Sequence, residues 1–241
     1  MHRFLCAHAN LNSKVISLSD QAEIHHLKNV LRLKIDNQIS LFDGSGKEAL
    51  GTILSIQRKK VEVRIDQLLP RIPRQGLSII LACAIPKRAK FEWIVEKCTE
   101  LGVDEIIPMK TQRTELSLRS VDIRKKTLRY KTIAINAAKQ SKRTTIPIIH
   151  PLTNFENIIQ NLDQNTIALI PCLTGDRKLI NSIHIDREKK IIFLIGPEGD
   201  FTSNEVELAK SHGCIPLNLG ATVLKVDTAA MAVLAYLKFI S

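Results

Sequence analysis

Leu77-Ser78-Ile79-Ile80-Leu81-Ala82-Cys83-Ala84, read LSIILACA, decides the fold. The run is apolar almost without interruption and lacks the alternation of a half-buried strand. A strand of this kind is covered on both faces, as in a parallel sheet flanked by helices. Downstream, residues 90–101 place Phe91, Ile94, Val95, Cys98 and Leu101 on one helical face, and Gly102 ends that helix as a C-cap. A strand follows at 103–108, then a basic helix at 121–143 with Ser120 as N-cap and Asp122 in the first turn. Further strands are expected at 167–170, 191–195 and 215–219. Between the last two, Thr202 and Glu205 form a T-x-x-E capping pair, and their helix stops at Gly213. Asp227 is expected to cap a final helix, 228–239, apolar nearly all round and therefore buried in the core or at a subunit interface. Strand and helix alternate throughout, which predicts an α/β domain with a parallel sheet.

Upstream of the run, Pro70-Arg71-Ile72-Pro73-Arg74-Gln75-Gly76 has the composition of a linker. It divides the chain into an expected domain at 1–72 and another at 73–241. Before it, residues 38–43, 49–56 and 60–65 are short and partly alternating, and Asp43-Gly44-Ser45-Gly46 is a hairpin turn between the first two. Asp20 and Glu23 open a short helix whose Ile24, Leu27, Val30 and Leu31 should face inward, leaving His25, Lys28 and Arg32 outside. Short strands with tight turns predict a small barrel.

The net charge of +11 and pI near 9.6 favour a polyanionic partner. Between Lys110 and Arg143 stand eleven Lys or Arg against two acids, too one-signed for internal pairing. Five widely spaced cysteines with no CxxC pair read as small buried residues in a reducing cytosol, not as zinc ligands or disulfides. The N-terminus MHRFLCAHAN has no apolar stretch long enough for a signal peptide, and no segment approaches the apolar length of a membrane span, so the expectation is a cytoplasmic protein with no membrane and no metal.

Ligands of open α/β sheets sit beyond the carboxyl ends of the strands. Three loops lie there: PCLTG (171–175), GPEGDFT (196–202) and LGATVLK (219–225). None is a phosphate-binding glycine motif. Glu198 at close range would repel a phosphate and suit a cation. S-adenosylmethionine, a sulfonium with an adenine and no phosphate, fits. The alternative is a plain turn whose glycines satisfy positive φ.

The motifs join into a longer pattern. His26 to Leu33 reads HLKNVLRL, and Phe42-Asp43-Gly44 follows. Then come FEWIVEKCTELGV from Phe91, AAKQSKR from Ala137, IGPEG from Ile195, and Leu219-Gly220 through Thr228-Ala229. In this order they resemble the SPOUT class of methyltransferases, and more narrowly the RsmE family, which methylates N3 of a uridine in 16S ribosomal RNA of the small ribosomal subunit. The resemblance implies a PUA-like β-barrel, a SPOUT-type knotted parallel-sheet domain with a C-terminal trefoil knot, S-adenosylmethionine as cofactor, and a homodimer. It also shows departures. The family pattern GPEGG has Asp200 at its last glycine, and LGPRILRTETA reads LGATVLKVDTA here. Thr222 stands at an expected arginine, while Lys225 and Asp227 keep the charge of an arginine and a glutamate; lysine cannot copy a planar two-pronged contact. The change at 222 bears on RNA positioning or rate, not on the fold.

The cofactor would be clasped by Leu169, Pro171, Gly196, Pro197, Glu198, Gly199, Leu217, Leu219, Gly220 and Leu224. Uridine N3 is protonated at neutral pH, so its proton must leave or the resulting charge must be stabilised. Glu198 is the candidate to polarise or accept that proton; its other reading is a cap for loop amides. Lys225, or Arg143 from a partner subunit, would stabilise the uracilate. N3 lies on the Watson–Crick edge, so the base must be unpaired or flipped. Arg3, Lys28, Arg32, Lys87, Arg113, Lys142 and Arg143 are candidate RNA contacts. Two other readings are a different SPOUT enzyme, acting on ribose 2′-OH or tRNA, and a non-catalytic ribosome-assembly protein that binds RNA.

Overall fold

The structure is a computed structural model describing residues 1–7, 9–71, 76–86, 90–115 and 120–240. It divides into two compact units, one of Met1–Arg74 with Ala138–Ile146, the other of Gln75–Ala137 with Pro147–Ser241.

The first unit contains β1 (Arg3–Leu5), β2 (Val15–Leu18), α1 (Gln21–His25), β3 (Gln38–Phe42), β4 (Glu48–Ile56) and β5 (Val61–Leu68). The strands form a curled sheet in the order β1-β3-β4-β5-β2, with only β1 and β3 parallel. Register shifts at Leu50/Gly51 and Ile53/Ser55 bend β4. Phe4, Leu18, Leu27, Leu41, Ile53 and Val63 fill its core. Asp43 builds the hairpin turn by accepting from the amides of Ser45 (2.8 Å) and Lys47 (3.0 Å).

Asp20 caps α1 through the amides of Ala22 and Glu23. The expected continuation as one α-helix is corrected: His26–Val30 is a π turn, with the Leu31 amide donating to the His26 carbonyl at 2.9 Å. A π turn holds more residues than an α turn, so the 3.6-residue face breaks. Leu27 is buried, but Val30 is 58% exposed instead of facing inward.

The second unit contains β6 (Ser78–Ala84), α2 (Lys90–Glu100), β7 (Glu105–Lys110) and α3 (Ser120–Gln140), whose last three residues belong to the first unit. Next come β8 (Ile148–Ile149), β9 (Thr153–Asn154), α4 (Phe155–Gln160), β10 (Thr166–Pro171), β11 (Lys178–Leu179), β12 (Lys190–Ile195), α5 (Ser203–Ser211), β13 (Ile215–Asn218) and α6 (Val226–Phe239). The sheet is parallel, ordered β11-β13-β10-β12-β6-β7-β8, with β9 also pairing β7. β6 lies inside it, and Leu81, Ala82, Cys83 and Ala84 are fully buried. α2 ends as expected: Gly102 has φ +93°, and the Val103 amide donates back to the Cys98 carbonyl at 3.0 Å. α5 has its capping box, each of Thr202 and Glu205 bonding the other's backbone.

One expectation for α6 is corrected. Lys225 occupies the N-cap position without a side-chain cap bond, and Asp227 sits in the first turn, where its charge complements the helix dipole. The single chain buries one face of this helix. Val226, Ala230, Val233, Leu234 and Leu237 face the core, while Phe239 is 88% exposed. Among the described residues, no helix is long and apolar enough to cross a membrane.

Candidate active site

Parallel registry brings the ends of three strands together. Leu169 of β10 lies between Phe193 of β12 and Ile215 of β13, and Pro171 pairs with Leu217. Their following loops therefore emerge on one edge of the sheet and enclose a cavity of about 240 Å³. It is somewhat smaller than the roughly 300–1,000 Å³ usual for small-molecule sites.

The first loop contributes Pro171, Cys172, Leu173 and Arg177. The second contributes Gly196, Pro197, Glu198 and Asp200, after Ile195. The third contributes Leu217, Asn218, Leu219, Gly220, Thr222, Val223, Leu224 and Lys225, and α6 adds Val226 and Ala229. Of the sequence-predicted set, Pro171, Gly196, Pro197, Glu198, Leu217, Leu219, Gly220, Leu224 and Lys225 come together here. Leu169 does not line the cavity; it is fully buried within β10. Gly199 is also off the lining, its carbonyl turned to the Arg113 guanidinium. Cys172, Leu173, Asn218 and Val223 were missed as individuals although their loops or strand ends were marked. Arg177 had no signal, because only the fold returns it to the wall.

Local chemistry shapes the second loop. The Asp200 amide closes a turn on the Pro197 carbonyl at 3.0 Å. A Cβ at Gly196 would stand 3.1 Å from the Phe201 ring, a tight contact that the ring would have to relieve by shifting. Asp200 takes φ +60° and accepts from the Leu173 amide at 2.8 Å, which ties this loop to the first. Arg177 Nη1 donates to the Cys172 carbonyl at 3.0 Å. In the third loop, Asn218 accepts from the Gly220 amide at 3.0 Å.

Glu198 and Asp200 line the cavity together with Arg177 and Lys225. Both signs are present, which suits an amino-acid zwitterion carrying a further cation. Leu217, Leu219, Leu224, Val226 and Ala229 offer an apolar wall for a flat ring. This donor set fits S-adenosylmethionine. Burial, and then the Asp200 charge, push the Cys172 thiol up, with Arg177 partly opposing. A protonated thiol is a poor nucleophile, so Cys172 is not equipped to accept the methyl group itself. Burial, followed by Cys98, Glu198 and Asp227, drives the Cys83 thiol well above its ordinary value. Among the described residues no group of three or more His, Cys, Asp or Glu could hold a metal ion.

The expected RNA contacts separate. Arg113 donates to the carbonyls of Gly199 and Phe201 and so braces the second loop. Lys87 lies outside the described residues. In the first unit, Arg32 and Lys142 are exposed and both have positive φ, at +53° and +58°. Lys28 is half-buried, with Nζ 3.4 Å from the Gln57 carbonyl. Arg143 donates to Thr145 Oγ1 at 3.2 Å. It belongs to the unit that does not hold the cavity. Arg3, expected on the RNA surface, is instead engaged inside its unit. Its side chain is 9% exposed, ion-paired to Glu48 at 2.9 Å, bonded to the Arg143 carbonyl at 2.8 Å and stacked on Phe42. Arg124, Lys125, Lys126, Arg129 and Lys131 of α3 are exposed.

Comparison with known proteins finds two family matches. Residues 73–238 match the RNA methyltransferase domain family, and residues 18–66 match the RNA methyltransferase PUA domain. A relative from Rickettsia conorii, named ribosomal RNA small subunit methyltransferase E, is 30% identical over 230 residues, 95% of this chain and 91% of the relative. The protein of that name from Bacillus subtilis is 26% identical over 223 residues, 90% of this chain and 87% of the relative. The solved Neisseria gonorrhoeae ribosomal RNA small subunit methyltransferase E, bound to S-adenosyl methionine, superposes with a TM-score of 0.90 at 26% identity, covering 100% of this chain and 98% of that one. A methyltransferase from Legionella pneumophila with bound SAM gives 0.89 at 28% identity, over 99% and 97%.

Proposed function

Because the chain belongs to the RNA methyltransferase family whose relatives are the ribosomal RNA small subunit methyltransferases E, we propose that it methylates N3 of a uridine in 16S ribosomal RNA. The observation that carries this reading is one cavity, at the carboxyl ends of β10, β12 and β13, with a carboxylate and an ammonium on its wall: Glu198 and Lys225. When bound, S-adenosylmethionine supplies an electrophilic methyl group on a sulfonium. Glu198 is an exposed residue on that wall, open to a base presented from solvent, and it takes the imide proton from N3. Lys225 stabilises the charge left on the uracil oxygens. Leu217, Leu219 and Leu224 line the same cavity and offer the apolar surface against which the flat parts of the cofactor would lie.

Residues 1–72 serve as the PUA-like RNA-holding domain and 73–241 as the catalytic domain. A homodimer brings Arg143 of a second copy to the site, and the exposed end of α6 at Phe239 is the natural place for subunits to meet. The enzyme works in the cytoplasm on the small ribosomal subunit.

The test is product analysis. Small subunits lacking the modification are incubated with methyl-labelled S-adenosylmethionine, and the RNA is digested for nucleoside mass spectrometry. Label in 3-methyluridine is expected. Label on a ribose or another base would overturn the regiochemistry, and cofactor binding without label would favour a binding protein.

A further inference from the structure

We propose that Asp200 is a positioning residue that fixes the width of the cofactor cavity before the cofactor arrives. The proposal rests on the cofactor reading of that cavity. Two of its loops, after β10 and after β12, are not neighbours in sequence. Asp200 joins them, its Oδ2 accepting from the Leu173 amide at 2.8 Å across 27 residues. Leu173 and Asp200 both line the cavity, so the bond spans its rim.

Three further observations give the bond a role. Asp200 holds φ +60°, a left-handed conformation that asparagine and aspartate tolerate better than most residues but that glycine adopts freely. Glycine or asparagine would meet the same backbone demand, so conformation alone does not call for a carboxylate. The bond also sits in a line of hydrogen bonds. Arg177 donates to the Cys172 carbonyl, Leu173 donates to Asp200, and Arg113 donates to the Gly199 carbonyl. Arginines therefore hold the outer ends, and Asp200 closes the middle. Finally, Leu173 is 47% exposed, so apolar packing does little to hold its loop. Pre-ordering both loops removes an ordering cost that would otherwise be charged against binding. The carboxylate acts through the Leu173 backbone and needs no contact with the reacting atoms.

Asp200→Gly and Asp200→Asn separate this role from simple folding. Glycine relieves the left-handed backbone and removes the acceptor, while asparagine tolerates the same φ and keeps an acceptor oxygen. One net hydrogen bond corresponds to about three- to tenfold in an equilibrium constant. In D200G, the Kd for S-adenosylmethionine by calorimetry should rise about three- to tenfold. The Leu173 amide of the cofactor-free protein should exchange with solvent faster by a similar factor, with the melting temperature held. In D200N the exchange rate of the Leu173 amide should stay within about twofold of wild type. KM for the cofactor should follow Kd, and kcat should hardly move. D200G matching wild type in both Kd and exchange would overturn the clamp. So would D200N behaving like D200G in amide exchange, since the charge rather than the bond would then matter. A wild-type protein that fails to bind S-adenosylmethionine would overturn the cofactor reading, and the clamp with it.

Discussion

Glu198 and Lys225 share a wall with leucines, and that contrast is the chemical content of the site. Glu198→Gln keeps the size and hydrogen-bonding reach of the side chain and removes its ability to take a proton. A positioned base contributes roughly 10²–10⁴-fold. E198Q should therefore lower kcat by about a hundredfold or more, a loss far larger than any rise in the cofactor Kd, as read by single-turnover kinetics and calorimetry. Equal loss in binding and rate would make Glu198 a loop cap. At this scale the sequence was legible in proportion to locality. Gly196, Glu198 and Gly220 stand in loops marked by their own composition. Arg177 joins the wall only through the fold. Arg3 and Arg113 carry the charge of RNA contacts, yet Glu48 and the loop carbonyls engage them, and charge counting has no access to such partners.

Elements whose signals are local were readable: the Gly102 stop of α2, the capping box of α5 and the Asp43 turn each depend on a few neighbouring residues. Where tertiary structure decides, the reading failed. The π turn at His26–Val30 breaks a periodicity that is present in the sequence. β8, β9 and β11 have two residues each, too few for any period to register. The end of α3 offers a quantitative test. Lys139 Nζ meets both carboxylate oxygens of Glu23, at 2.8 and 2.9 Å, with side chains only 16% and 9% exposed. Removing one partner of a buried pair leaves the other uncompensated. Glu23→Ala should cost about 3 kcal/mol in urea unfolding, and Glu23→Gln, whose amide oxygen still accepts, should cost less. Equal, negligible losses would mean that solvent replaces the pair.

For the whole molecule, a net charge of +11 and the exposed cations of α3, with Arg32 and Lys142 in the other unit, predict binding dominated by phosphate. Affinity for the RNA should fall linearly on a log–log plot against salt, and Lys142→Ala should make that slope shallower by roughly 0.7–0.9. An affinity that does not change with salt would place recognition elsewhere. All of this converges on one claim, that the cavity at the ends of β10, β12 and β13 is the cofactor site. The most direct measurement is an amide NMR titration of the full chain with S-adenosylmethionine. Saturable shifts confined to Leu173, Gly196, Gly199, Leu219 and Gly220 and their neighbours are predicted. Saturation without shifts in those three loops, or shifts centred on the β1–β5 unit, would contradict it.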